Sequence, residues 1–405
     1  MNTEKIYKLL DQSNLLLANT RTTHDRFLMR DLPWDWRLLG IKGARGVGKT
    51  TLLLQRLQLE QSAGQKAVYL TLDDVHFGTQ GLRETVEALL QIGYKRFFLD
   101  EVHKYPGWAQ HLKNLYDFHP DIQIVFSGSS IVELGRQFVD LSRRAIMHEL
   151  PGLSFREYLI FREVPEVPAA FTLEDIFKHH REIASGISQK IKPFEFFADY
   201  LKSGYYPFFL ENPALISVRL RQLVRLVLDV DLAGSEEGGR IYQVHKLGQL
   251  LQIIAESVPF KPNIQNLARS LEIDRDTVSR YLRHLHDARL IALLYAELQG
   301  IFSLQKPEKI YLQNTAIAHA LMPVGKPDPG SLRETFFLSQ VSAKHQVNYP
   351  ASGDFLIDQK YTVEVGGKGK KLRQIAETPN SFLALDDLPI GFERQVPLWL
   401  FGFLY

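Results

Sequence analysis

Apolar positions in the first part of the chain follow two periods. Ile6, Leu9, Leu10 and Leu17 recur at helical spacing, which predicts an amphipathic helix over residues 6–17. Short, nearly continuous apolar runs follow at residues 37–42, 67–72, 96–99 and 122–126. Helical stretches separate them, the first at residues 51–59. Strands that are apolar on both faces and alternate with helices predict a parallel sheet covered on both sides. Residues 1–160 therefore read as one α/β domain. Residues 161–240 turn helical, with an aromatic cluster at 194–197 and a turn at 204–207. The glycine-rich stretch 234–239 reads as a linker. Residues 241–320 show helices and then short strands, and 321–405 return to a mixed α/β pattern.

Composition limits what such a chain can do. The 405 residues, 45% hydrophobic and 23% charged, describe an ordinary soluble globular chain. At about 100–200 residues per domain, that length predicts two to four domains. The absence of cysteine excludes disulfides, thiolate zinc sites, iron–sulfur clusters and a cysteine nucleophile, and it fits a reducing compartment. A formal charge of +2 is too small for a nucleic-acid coat over the whole molecule, so any basic face is local. Glu4 interrupts the amino terminus early, which does not read as a signal peptide. No run approaches the roughly 20 apolar residues that span a bilayer, and the tail 397–405 is too short. The expectation is a cytoplasmic protein with no membrane contact.

The string Gly43-Ala44-Arg45-Gly46-Val47-Gly48-Lys49-Thr50 matches G-x-x-x-x-G-K-[ST] at every fixed position, between a predicted strand and a predicted helix. Glycines let backbone N–H groups curl around a phosphate, the lysine reaches the β- and γ-phosphates, and the threonine hydroxyl is a ligand for Mg²⁺. Residues 43–50 together with Thr51 are the candidate ATP contacts. Phe97-Phe98-Leu99-Asp100-Glu101 is an apolar strand ending in two acids, resembling a Walker B motif. There Asp100 would hold Mg²⁺ through water, and Glu101 would orient and polarise the attacking water. Carboxylates at the carboxyl end of a parallel strand lie on the edge where ligands bind. After the next strand, Ser127 and Ser129 are candidates for sensing the γ-phosphate. Arg143 and Arg144 are candidates for an arginine finger offered to a neighbouring subunit. His103, His111 and His119 are eight residues apart, which is not a one-face ligand spacing, so no histidine metal site is expected.

Residues 43–50, 97–101, 127–130, Arg143-Arg144 and Leu153-Ser154-Phe155-Arg156-Glu157-Tyr158-Leu159 together resemble a family of prokaryotic P-loop ATPases in the AAA+ superfamily. The likeness continues through residues 200–207, 308–312 and 363–368, and so covers nearly the whole chain. It implies a helical lid at 161–240, a winged helix at 241–320 and, at 321–405, a domain resembling the restriction-endonuclease fold. It implies no particular biological role.

Two later segments carry chemistry of their own. Residues 264–273 form a short amphipathic helix, and Asp274 is an N-cap for a second helix over 275–288 with Val278, Tyr281, Leu282 and Leu285 as its buried stripe. Residues 290–296 and 309–312 would be the wing strands. Arg275, Thr277, Ser279, Arg280, Arg283 and His284 lie largely off that stripe and could meet the phosphates or bases of double-stranded DNA. An equally open alternative is a folded interaction module whose second helix packs on the ATPase domain. In the tail, Asp354 and Glu364 end up on adjacent strands, with Glu334 supplied from a helix over 332–341. Paired carboxylates can hold Mg²⁺ for phosphodiester hydrolysis, completed by a lysine two residues after the second acid. Here that position is Gly366 and the next lysine is Lys368, so the tail is expected to be inactive in cleavage. The sequence thus points to an ATP-hydrolysing switch or motor. A DNA-binding regulator in which ATP only sets conformation, or a Mg²⁺-dependent nuclease, are the alternatives. A homo-oligomer is required only if an arginine finger acts in trans.

Overall fold

The fold was obtained as a computed structural model, which describes residues 3–20, 23–128, 141, 143–232, 243–257, 259, 261–296, 306–322, 327–371 and 374–405. The chain forms two units, Met1–Pro151 and Gly152–Tyr405.

In the first unit, the predicted amino-terminal helix is α1, Thr3–Ala18. The apolar runs become β1, Leu38–Lys42, β2, Ala67–Thr71, β3, Arg96–Asp100, and β4, Gln123–Gly128. Helices α2, Lys49–Ser62, α3, Leu82–Gln91, and α4, Trp108–Phe118, alternate with them. A fifth strand that the apolar pattern does not announce, β5, Ile146–Glu149, completes the sheet. The order is β2-β3-β4-β1-β5 and every pairing is parallel. Burial explains the continuous apolar runs: four of the five residues in β1, β2 and β3 are buried. Alternation along the strands still sorts the two faces. Val68, Leu70, Phe97, Leu99, Ile124 and Phe126 form one core with Leu82, Val86, Trp108 and Leu112 of α3 and α4. Tyr69, Asp100 and Ser127 fall on the opposite alternation.

In the second unit, α5, Phe155–Phe161, begins at Ser154, whose side chain accepts from Glu157 N while Glu157 caps the Ser154 N–H, a reciprocal capping box. Longer helices follow at α6, Leu173–Lys190, α7, Pro193–Asp199, and α8, Ile216–Leu226. The expected linker 234–239 lies outside the described residues. Then come α9, Val244–Ser257, α10, Ile264–Leu271, and α11, Arg275–Asp287, with β6, Ile291–Leu294, pairing antiparallel to β7, Lys309–Leu312. Asp274 is the N-cap of α11, accepting from Thr277 N at 2.7 Å. After α12, Thr315–Leu321, and α13, Pro329–Val341, the chain builds a second five-stranded sheet. Its strands are β8, Val347–Asn348, β9, Phe355–Ile357, β10, Tyr361–Gly366, β11, Ser381–Leu385, and β12, Gln395–Pro397. The order is β12-β11-β10-β9-β8, parallel from β10 to β12 and antiparallel from β10 to β8.

No described helix is long and apolar enough to cross a membrane.

Candidate nucleotide site

β1 ends where the glycine loop begins, and α2 starts directly after Gly48. Gly46 and Gly48 have φ of 79° and 96°, left-handed values that glycine adopts without a steric penalty. Such turns aim consecutive N–H groups into a concavity at the start of a helix, which is an anion-binding geometry. Gly43 is required for a second reason: a Cβ there would collide with the carbonyl oxygen of Leu150. Lys49, 6% exposed, folds back so that its Nζ donates to Gly43 O at 2.9 Å and Ala44 O at 3.0 Å. Thr50 and Thr51 are exposed at the first turn of α2.

Asp100 is the buried hub of the site, 1% exposed at the end of β3. Its Oδ2 accepts from Thr50 Oγ1 at 2.6 Å and from Tyr69 OH at 2.8 Å. Its Oδ1 accepts from Ser127 Oγ and from Glu101 N at 3.0 Å. Four donors fill the roughly four lone-pair sites of a carboxylate, which fixes its orientation. The structure therefore brings together Thr50, Asp100 and Ser127 as expected and adds Tyr69, which the apolar pattern had counted only as a strand residue. Burial above all, and then the charge of Asp100, push the Tyr69 phenol far above its ordinary pKa, so it remains a donor. Ser129 lies outside the described residues.

Glu101 takes a left-handed conformation, φ 52°, and caps the single turn Val102–Lys104. That turn carries the chain away from the strand, leaving the Glu101 side chain 23% exposed beside the buried Asp100. His103 Nε2 lies 3.4 Å from Glu101 Oε2.

The arginines occupy a different edge. β5 runs parallel to β1 with Ile146 opposite Leu39, so the residues just before β5 lie at the amino ends of the strands, away from the loop that follows β1. Arg143 is exposed there. Arg144 is bound in a fork to Asp117 of α4, at 2.8 and 2.9 Å, and its guanidinium draws the Asp117 carboxyl below its ordinary pKa.

In the second unit the three expected acids are partnered by lysines. Lys309 of β7 puts Nζ 3.1 Å from both Glu334 Oε2 and Asp354 Oδ1. Tyr311 OH donates to Glu334 Oε2 at 2.7 Å, and Val365 N to Asp354 Oδ2 at 3.0 Å. Burial, and then the Asp354 charge, raise the Glu334 pKa. For Lys309, burial works against the charge, but Glu334 and Asp354 outweigh it and the pKa rises. Glu364, 1% exposed, meets Lys370 at 2.9 Å. The lysine that reaches this acid is thus Lys370, not Lys368, because the turn after β10 doubles back: Lys370 N bonds to Gly367 O at 2.9 Å. Among the described residues, no three His, Cys, Asp or Glu side chains are grouped to hold a metal ion. On α11, Arg275 and Arg283 are exposed, while Arg280 Nη2 donates to Thr277 Oγ1 at 3.1 Å. His284, expected to lie off the buried stripe, is only 8% exposed, because α11 packs with more than one side against its neighbours.

Residues 35–159 match a family described as an AAA domain, and residues 195–328 match a domain of unknown function, DUF8612. The uncharacterized protein MJ1637 of Methanocaldococcus jannaschii is 27% identical over 396 residues, covering 89% of this chain and 81% of its own. Among solved structures, AMPPCP-bound DnaA from Aquifex aeolicus is 18% identical, with 64% of this chain and 85% of that chain covered at a TM-score of 0.25. The S. cerevisiae Hsp104–ADP complex is 15% identical, with 70% and 41% covered at a TM-score of 0.33. Those scores are too low for either likeness to bear on function. Residues 35–159, the part of the chain that matches an AAA domain, contain both the glycine loop and the Asp100 hub.

Proposed function

We propose that this protein binds ATP with Mg²⁺ at residues 43–51 and hydrolyses it to ADP and phosphate, using the cycle to drive a switch or motor. The observation that carries this reading is the 2.6 Å hydrogen bond from Thr50 Oγ1 to Asp100 Oδ2, which joins the phosphate loop to the acid of the neighbouring motif. Thr50 Oγ1, a hard oxygen, would be the ligand for Mg²⁺, with Asp100 acting behind it. When bound, the cation would neutralise charge on the β- and γ-phosphates. Lys49 supplies a second positive charge to the same phosphates. Glu101, partly open beside the buried hub, orients water and takes its proton. Ser127, bonded to Asp100, sits where a change at the γ-phosphate is felt through that carboxylate.

Arg144 acts in trans on this reading, from the edge remote from its own loop, and the working form is a homo-oligomer. Its bond to Asp117 is exchanged for a neighbour's γ-phosphate. Arg144→Ala is expected to lower turnover by roughly 10³-fold or more while leaving nucleotide affinity intact. Unchanged turnover would return Arg144 to a surface ion pair. The second unit supplies a helical lid at 161–240, a winged helix at 241–320 and an inactive endonuclease-like domain at 321–405. The chain carries no cysteine, which suits a cytoplasmic protein.

A second reading, a DNA-binding regulator in which ATP only sets conformation, is favoured by one observation: Arg275 and Arg283 are exposed on α11. Lys309, at the base of the β6–β7 ladder, is already engaged by two acids and has little to offer a phosphate backbone. Phosphate release with and without double-stranded DNA separates the two readings. Turnover that rises with DNA supports a coupled ATPase, and turnover indifferent to DNA moves α11 towards a protein partner. Negligible turnover, with a salt-dependent DNA affinity that Arg275→Ala and Arg283→Ala weaken, supports the regulator.

A further inference from the structure

We propose that Arg26, outside every nucleotide-binding motif, is a positioning residue of the phosphate loop. This rests on the nucleotide reading of residues 43–51 and adds a part to that site. Arg26 is 4% exposed. Its Nη1 donates to Val47 O at 2.6 Å and its Nη2 to Pro151 O at 2.7 Å. The first acceptor belongs to the glycine loop itself. The second lies just past β5, next to Leu150, whose N–H bonds to Lys42 O at 2.8 Å and whose carbonyl crowds Gly43. The guanidinium therefore spans from the last turn of the loop to the chain that closes over its first residue. The segment carrying it is tied down in turn, since Gln55 of α2 donates to His24 O at 3.0 Å.

The physical need for such a group follows from the loop's task. A backbone that turns N–H groups towards an anion turns carbonyls away from it. Where those carbonyls are buried, each requires a donor, or the loop gains by flipping the peptide and facing the carbonyl inward. A carbonyl oxygen in the concavity would repel phosphate. The bond from Arg26 to Val47 O holds the peptide between Val47 and Gly48 in the orientation that keeps this oxygen out. Arginine suits the place better than lysine because its rigid fork serves two acceptors at once. The same charge, one peptide away from the concavity, adds to the attraction for polyphosphate.

The test uses the full chain with Arg26→Gln and Arg26→Lys. The first readout needs no nucleotide: amide hydrogen exchange of the ligand-free protein. Arg26→Gln is expected to speed exchange across residues 43–49 while leaving the amides of β2 and β3 as slow as in wild type. Unaltered exchange in the loop would overturn the assignment, whether or not the protein binds ATP. The second readout is equilibrium titration with a fluorescent ATP analogue, with Lys49→Ala as the control. Arg26→Gln is expected to weaken binding by roughly tenfold or more, and Arg26→Lys to recover part of the loss by reaching one carbonyl of the two. Turnover at saturating ATP should stay within about threefold of wild type, because the Asp100 hub and Glu101 are untouched. Affinity equal to wild type in either folded variant would overturn the assignment. If Arg26→Gln does not fold, Arg26→Lys decides alone by the same two readouts. Failure of the wild type to bind the analogue would instead sink the nucleotide reading and leave the exchange result to judge Arg26.

Discussion

Glu101→Gln is expected to bind ATP as tightly as the wild type and to turn it over roughly 10²–10⁴-fold more slowly. The substitution keeps the side-chain length and one acceptor but removes the group that takes a proton from water. Asp100 is unaffected in its contacts, since the bond it receives from residue 101 comes from the backbone N–H. Binding and turnover should therefore separate cleanly, affinity unchanged and kcat reduced. Equal turnover by variant and wild type, measured as phosphate release at saturating ATP, would remove Glu101 from the mechanism. A loss of affinity together with turnover would mean that the left-handed turn at Glu101 had been disturbed instead.

Lys309→Met is expected to destabilise the second unit by about 3–5 kcal/mol. The methionine fills similar volume, but it leaves Glu334 and Asp354, 15% and 14% exposed, facing each other without the ammonium that bridges them. The pH dependence has a definite sign. The folded pKa of Glu334 is raised, first by burial and then by Asp354, so its ionisation costs stability as pH rises through the carboxylate range. Lys309 has a folded pKa raised above 10.5, so its contribution is complete at neutral pH and is lost only as pH climbs through that higher value. The gap between variant and wild type should accordingly shrink when pH is lowered and Glu334 takes up its proton. Urea unfolding at neutral and mildly acidic pH measures both the cost and its trend. Adding Glu334→Gln to the variant should restore part of the loss. A cost under about 1 kcal/mol would show that water screens this cluster as it screens a surface pair.

Much of the candidate nucleotide site was readable in the sequence because its residues are local. Residues 43–50 work as a contiguous loop, and Asp100-Glu101 end a strand whose apolar run announces it. The four longer strands of the first sheet were readable for the same reason, being buried on both faces. β5 was not. It is an edge strand, and all four of its residues, Ile146, Met147, His148 and Glu149, are only partly buried, so nothing forces an apolar run. In the second unit β8 and β12 have two and three residues, too few for any period to register. The residues that complete the sites were hidden by distance along the chain. Arg26 binds carbonyls 21 and 125 positions away, and Lys309 binds acids 25 and 45 positions away. Tyr69 was hidden differently: in a strand pattern its ring counts as apolar, while its hydroxyl supplies one of the four donors on Asp100.

The measurement that tests the central claim most directly is phosphate release by the purified wild type and by Lys49→Ala, with Mg²⁺ and ATP. Lys49 is the cation inside the glycine loop, held against Gly43 O and Ala44 O. Steady turnover by the wild type, abolished in a folded Lys49→Ala protein, is the result this account predicts. Turnover that survives the loss of Lys49, or a wild type that releases no phosphate, would contradict it.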